Sequence, residues 1–127
     1  MPIVTIDWCF KSTPEQRKSI IKEMSDCLID DCDARRKIVT VIFREHSPEY
    51  FGLAGSLASE TEDFESTVIV TLDWCARDND CKDKIIEHAM HAICACGFED
   101  DLVTVLFHDY PLNAVAQGGI MKLYEKH

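Results

Sequence analysis

The chain has 127 residues, 46% of them hydrophobic, and carries 13 Lys plus Arg against 23 Asp plus Glu for a formal net charge of −10. That length fits one compact domain, and the acidic balance argues against nucleic acid and anionic membrane surfaces as partners, because both demand cations. No stretch approaches the roughly 20 apolar residues of a membrane span and no basic-then-apolar leader opens the chain, so a cytoplasmic protein is expected, with its seven cysteines as free thiols.

Residues 3–9, rich in Ile, Val, Thr and Trp, suit a strand. Ser12-Thr13-Pro14 then opens a helix: Thr13 is a good N-cap, Pro14 suits the first helical position, and Gln16 completes a capping box. Ile20, Ile21, Met24, Cys27 and Leu28 recur at helical spacing as one apolar stripe, and the helix fades near Asp31 to Asp33. Residues 38–44 read as a second strand. The Gly-bearing tail Phe51-Gly52-Leu53-Ala54-Gly55 reads as a turn or short hairpin, and Glu60-Thr61-Glu62-Asp63 as a linker. The order then returns. Residues 67–75 form a strand, Asn79 caps a helix that runs to about Cys96 and stops at Gly97, and Ile85, Ile86, Ala89, Met90 and Ile93 make its stripe. Residues 102–108 are the matching strand, followed by the tail Gln117-Gly118-Gly119.

The order returns because the sequence does. Ile3-Val4-Thr5-Ile6-Asp7-Trp8-Cys9 reappears as Ile69-Val70-Thr71-Leu72-Asp73-Trp74-Cys75, and Thr40-Val41-Ile42-Phe43 as Thr104-Val105-Leu106-Phe107. Self-similarity at a fixed offset dictates the fold. Two β-α-β units, 1–60 and 66–127, are fused head to tail; each is too small to bury a sufficient core alone, so they share one domain. The expected class is α/β, a four-stranded sheet with both helices on one face and parallel strands within each unit. The other face needs cover, which points to oligomerisation.

His88 and His91 with Cys94 and Cys96 have the residue types of a zinc site. On one helix these four do not converge on a single face, so no metal is assigned to them. Cys9 and Cys75 are equivalent strand positions without a Cys-x-x-Cys motif, and read as packed thiols, although Cys9 near the strand exit can line a pocket. Asp7 and Asp73, duplicated, read as structural hydrogen-bond acceptors. Trp8 and Trp74 read as core or interface aromatics.

Met1-Pro2-Ile3, a β-α-β unit of this size, and the segment Tyr50-Phe51-Gly52-Leu53-Ala54-Gly55-Ser56-Leu57-Ala58-Ser59 together resemble 4-oxalocrotonate tautomerase. The whole chain resembles a fused member of the tautomerase superfamily. The resemblance implies a cofactor-free, homotrimeric enzyme whose base is an N-terminal proline freed by removal of the initiator Met. Pro2 is the matching residue. A free α-amino group has a pKa near 8, below lysine; nearby cations or desolvation lower it further, making it fit to move protons to and from carbon. The second unit has Val68 at this position, so one catalytic proline per chain is expected, with the second unit lining its site.

The best-known member holds its substrate's carboxylates with two arginines. At the position after the first strand this chain offers Lys11, and Arg77 in the second unit. In the second strand it has Thr40 and Thr104 instead. Phe51 keeps the aromatic position of the tail, which falls near Val115 in the second unit. Lys11, Arg77, Phe51, Arg44 and Cys9 are therefore the candidate substrate-binding residues, with Arg35, Arg36 and Lys37 as surface cations. A small monocarboxylate 2-oxo acid fits better than a dicarboxylate. Two other readings stand beside tautomerisation. One is dehalogenation, hydration or decarboxylation by a protonated Pro2, with Glu45, Asp7 or Asp109 activating water. The other is a non-catalytic binding or assembly scaffold, which a retained Met1 would favour.

Overall fold

The computed structural model describes residues 1–61 and 67–122, so Glu62 and Asp63 of the expected linker lie outside the described residues. The first half folds as β1 (Ile3–Trp8), α1 (Pro14–Asp30), β2 (Thr40–Glu45) and a hairpin of β3 (Gly52–Leu53) and β4 (Ser56–Leu57). The second half repeats it with β5 (Val68–Cys75), α2 (Asn79–Cys94), β6 (Val103–Tyr110) and a hairpin of β7 (Ala116–Gln117) and β8 (Ile120–Met121). The main sheet is the expected α/β arrangement in the order β2-β1-β5-β6. β1 pairs parallel with β2 and β5 parallel with β6, as right-handed crossovers require. The two halves meet where β1 and β5 pair antiparallel, Ile3 opposite Asp73, Thr5 opposite Thr71 and Trp8 opposite Val68.

Local chemistry explains the elements. The α1 capping box is closed in both directions: the Gln16 N–H donates to Thr13 Oγ1 at 3.1 Å, and the Thr13 N–H to Gln16 Oε1 at 2.8 Å. In α2 the cap is Asp78 rather than Asn79; its carboxylate accepts the Cys81 N–H at 2.8 Å, and Asn79 becomes the first helical residue. A carboxylate at this position also complements the helix dipole. α2 stops at Cys94, and Gly97 follows in the left-handed region at φ 101°.

Alternation along β1 and β5 sends Val4, Ile6, Trp8, Val68, Val70, Leu72 and Trp74 under the two helices. Ile20, Met24, Cys27 and Leu28 meet them from α1, and Cys81, Ile85, Ala89, Ala92 and Ile93 from α2. Ile21 and Ile86, counted within the apolar stripes, turn outward and are about 40% exposed (40% and 39%). They sit one position round the helix from the residues that face the sheet. Trp8 stacks between Phe43 and Phe98, with ring centroids 5.7 and 5.9 Å away. The opposite sheet face carries Ile42 and Leu106 in the open, 40% and 43% exposed.

One cysteine pair departs from the free-thiol expectation. Cys32, just past α1, and Cys81, in the first turn of α2, form a disulfide with Cα atoms 5.5 Å apart and a sequence separation of 49. No sequence motif marks it, because the pairing exists only once α1 and α2 lie side by side. Closing a loop of that length restricts the unfolded chain. Cys32→Ser is expected to lower the unfolding free energy by up to about 4 kcal/mol in non-reducing denaturant titrations; unchanged stability would show that the bridge is open in solution.

Candidate functional site

Pro2 is fully buried at the head of β1, and its carbonyl accepts the Thr40 N–H at 3.1 Å. Met1 precedes it, with its ammonium donating to Gln117 Oε1 in β7 at 2.7 Å. The antiparallel pairing decides what else stands here. With Ile3 opposite Asp73, the start of β1 lies against the end of β5, and so against Trp74, Cys75 and the following Arg77. A pocket of about 470 Å³ opens at this place, with Met1, Asp33, Arg35, Trp74, Arg77 and Lys122 among its walls.

The pocket is cationic in an acidic protein. Arg77 sits immediately before the Asp78 cap of α2, its guanidinium carbon 3.6 Å from the centre of the Trp74 ring. Its Nε is buried with no hydrogen-bond partner among the described residues. Burial pulls the guanidinium below its ordinary pKa, opposed by Cys75, Asp33 and Asp78. Arginine nevertheless stays charged in proteins, so a buried donor aimed at no acceptor is suited to a carboxylate. Lys122 follows β8 and is almost fully buried. Asp33 is the one carboxylate of the pocket wall among the described residues, held at φ 60°, a conformation that Asp tolerates.

Within one chain Arg77 shares a pocket wall with Met1, and the other substrate-binding candidates stand elsewhere. Cys9 and Lys11 follow Trp8 at the far end of β1, about 20 Å away for a strand of this length. Arg44 lies there too, 3.9 Å from Asp7. Phe51 stands beside His46 at 6.0 Å between ring centres, and the His46 N–H donates to the Trp8 carbonyl at 2.8 Å. The second-half counterparts take the Pro2 end instead: Cys75 for Cys9, Arg77 for Lys11, and Val115 for Phe51. Arg35, exposed like Arg36 and Lys37, also lines the pocket.

Sequence reasoning missed Lys122 and Gln117. A signal existed: Lys122 follows Ala58 at the same offset that separates Thr104 from Thr40. The backbone repeats accordingly, the Ala58 N–H donating to Phe51 O and the Lys122 N–H to Val115 O, both at 2.8 Å.

The proposed water-activating carboxylates are engaged. Glu45 accepts from the Ser12 hydroxyl and backbone N–H, which holds it below the usual carboxylate range. Asp7 pairs with His46 at 2.8 Å, and Asp109 with Lys82. Asp73, like its duplicate Asp7, accepts from the neighbouring strand, from Tyr110 at 2.7 Å and His108 at 2.9 Å. Burial pushes the Cys9, Cys27 and Cys96 thiols up, Cys27 to about 12.

Known proteins match this architecture. The family described as "Tautomerase enzyme" matches residues 2–60. A 2-hydroxymuconate tautomerase of Pseudomonas putida is 35% identical over 60 residues, 47% of this chain and 95% of that protein. A probable tautomerase of Staphylococcus aureus is 30% identical over 60 residues, 47% of this chain and 98% of that protein. Two solved structures share the whole fold: Pt0534 inactivated by 2-oxo-3-pentynoate, at a TM-score of 0.82 and 20% identity, covering 96% of this chain and 98% of that one; and a fused 4-OT symmetric trimer, at 0.80 and 20% identity, covering 96% and 97%.

Because Arg77 lies on Trp74, a small carboxylate such as pyruvate that binds Arg77 should perturb tryptophan fluorescence. Arg77→Ala is expected to weaken that binding by about ten- to a hundredfold, the worth of a charged hydrogen bond, while Lys11→Ala leaves it unchanged. Equal losses in both would place the anion elsewhere.

Proposed function

The chain belongs to the tautomerase superfamily as a fused, 4-oxalocrotonate tautomerase-like protein, and we propose that it is a cofactor-free tautomerase interconverting enol and keto forms of a small 2-oxo acid. The observation that supports this is a pocket lined by Met1, the residue whose removal frees the Pro2 amine, together with Arg77, Arg35 and Lys122, although these come from opposite ends of the chain.

Removal of Met1 frees the Pro2 amine and vacates the space that residue occupies at the pocket wall. An α-amino group titrates near 8, and the cations Arg35, Arg77 and Lys122 of the pocket wall that Met1 shares would favour the neutral form, with Asp33 opposing them. Neutral Pro2 accepts the proton of the enol hydroxyl; the oxygen's electrons form the carbonyl and the carbon–carbon double bond moves its pair onto carbon; the prolinium then returns the proton to that carbon. Arg77 presents parallel N–H groups to the substrate carboxylate, and with Lys122 stabilises the developing enolate. Thr40 and Thr104 stand where a second-strand arginine would grip another carboxylate, which favours a monocarboxylate. A homotrimer is part of the reading: the open face with Ile42 and Leu106 calls for cover, and a structurally similar fused protein is a trimer.

Asp33 supports a second reading. A carboxylate on the pocket wall that Met1 shares could activate water, as hydration-type chemistry with a protonated Pro2 requires.

Ketonisation of phenylenolpyruvate, followed by absorbance on protein whose intact mass shows Met1 removed, tests both. Pro2→Ala is expected to lower kcat/KM at least about a hundredfold. Activity should rise with pH through the amine pKa, because the neutral amine is the base. A rate that instead falls with pH, and is lost in Asp33→Asn, would favour the second reading. Equal rates for wild type and Pro2→Ala would remove the proline mechanism.

A further inference from the structure

Away from Pro2, a groove of about 710 Å³ runs between α1 and α2. Glu23, Asp26, Asp30, Asp31 and Glu87 line it against Lys22, which is itself paired with Asp26 at 2.7 Å. The helices run antiparallel here: Glu23 faces His91 near one end and Asp31 faces His88 further along. Cys27, Asp31 and His88 offer three different donor types, with their ligand atoms all within 4.8 Å of one another.

The histidine is already oriented. Glu23 Oε2 takes His88 Nδ1 at 3.1 Å, which turns Nε2 toward Asp31, 3.7 Å from its Oδ2. A carboxylate behind a histidine is the arrangement that fixes tautomer and ring angle in metal sites. Glu23 is fixed in turn by His91 Nδ1, at 2.7 and 2.9 Å from its two oxygens. Cys27 is buried, whereas Asp31 and His88 are about one-third exposed at the side chain (36% and 35%). The set thus has a dry sulfur end and a mouth open to the groove.

We propose that Cys27, Asp31 and His88 form a binding site for a borderline divalent cation of the zinc type, with Glu23 as its outer carboxylate. Sulfur plus imidazole selects such ions over magnesium or calcium, which take oxygen. Tetrahedral ligands around zinc stand roughly 3.3–3.8 Å apart, so rotamer adjustment of about 1 Å closes the set; the fourth position faces the groove and takes water. Binding forms the sulfur–metal bond and releases the Cys27 proton to solvent. The ion would tie α1 of the first half to α2 of the second. The ligand set differs from the four-residue cluster visible in the sequence: His88 serves, His91 acts through Glu23, and Cys94 and Cys96 take no part.

Cobalt(II) titration of the full chain, with the Cys32–Cys81 bridge intact, reads the site through thiolate-to-cobalt charge-transfer absorption. The expected result is a band that saturates at a single equivalent, is competed by zinc, and is accompanied by a zinc-dependent rise in Tm. His88→Gln, at a partly exposed position that preserves the fold, should weaken binding at least about tenfold, and Glu23→Gln about ten- to a hundredfold with the band retained. Cys27→Ser should abolish the band, while Cys94→Ser leaves it intact. No band in the wild type, a band surviving Cys27→Ser, or unchanged affinity in His88→Gln would each overturn the proposal.

Discussion

The antiparallel pairing of β1 with β5 is the constraint on which the rest depends. It is the joint between two halves that each contribute a parallel pair to the main sheet and a helix over it. It lays the head of one strand against the tail of the other, so each end of the joint combines material from both halves. It also sets α1 and α2 side by side over one core, which is what lets Cys32 meet Cys81 and Glu23 meet His88. Remove that pairing and neither the Pro2 pocket nor the interhelical groove exists.

The same pairing makes two pseudo-equivalent ends and leaves them chemically unequal. At one end Met1, just before Pro2 and β1, shares a pocket with Arg77 and Lys122 and bonds Gln117 of the β7–β8 hairpin. At the other, Val68 stands in the middle of a continuous chain and supplies no terminal amine, and the Ser12–Glu45 contacts and the His46–Asp7 pair occupy its surroundings. Duplication thus supplied two scaffolds of one shape, but the chemistry of an α-amine can exist only where a chain can begin. On the proposed reading, the second half lends the first a cation, a hairpin wall and a strand edge.

Much of this was legible in the sequence for physical reasons. Strand alternation, the Thr13–Gln16 capping box and the repeated Ile-Val-Thr segment are local, and local chemistry fixed them. The tautomerase likeness rested on the Pro2 terminus and the tail around Phe51. What escaped was non-local. The sequence named Arg77 beside Lys11 and Phe51 without separating them; within one chain, antiparallel pairing of β1 with β5 puts Arg77 at the Met1 end and Lys11 at the other. Lys122 and the Cys32–Cys81 bridge depend on chain segments brought together only by the fold. The choice of Asp78 over Asn79 as cap turned on one residue of register, which composition alone does not separate.

The claim at the centre of this account is that Pro2 lies in the electrostatic field of the second half. Its most direct test is the pKa of the Pro2 amine, followed by NMR on protein lacking Met1. A cation beside the amine disfavours the protonated form and lowers its pKa, so Arg77→Ala should raise it and Lys11→Ala should leave it where it was. A shift on removing Lys11, with none on removing Arg77, would contradict the arrangement described.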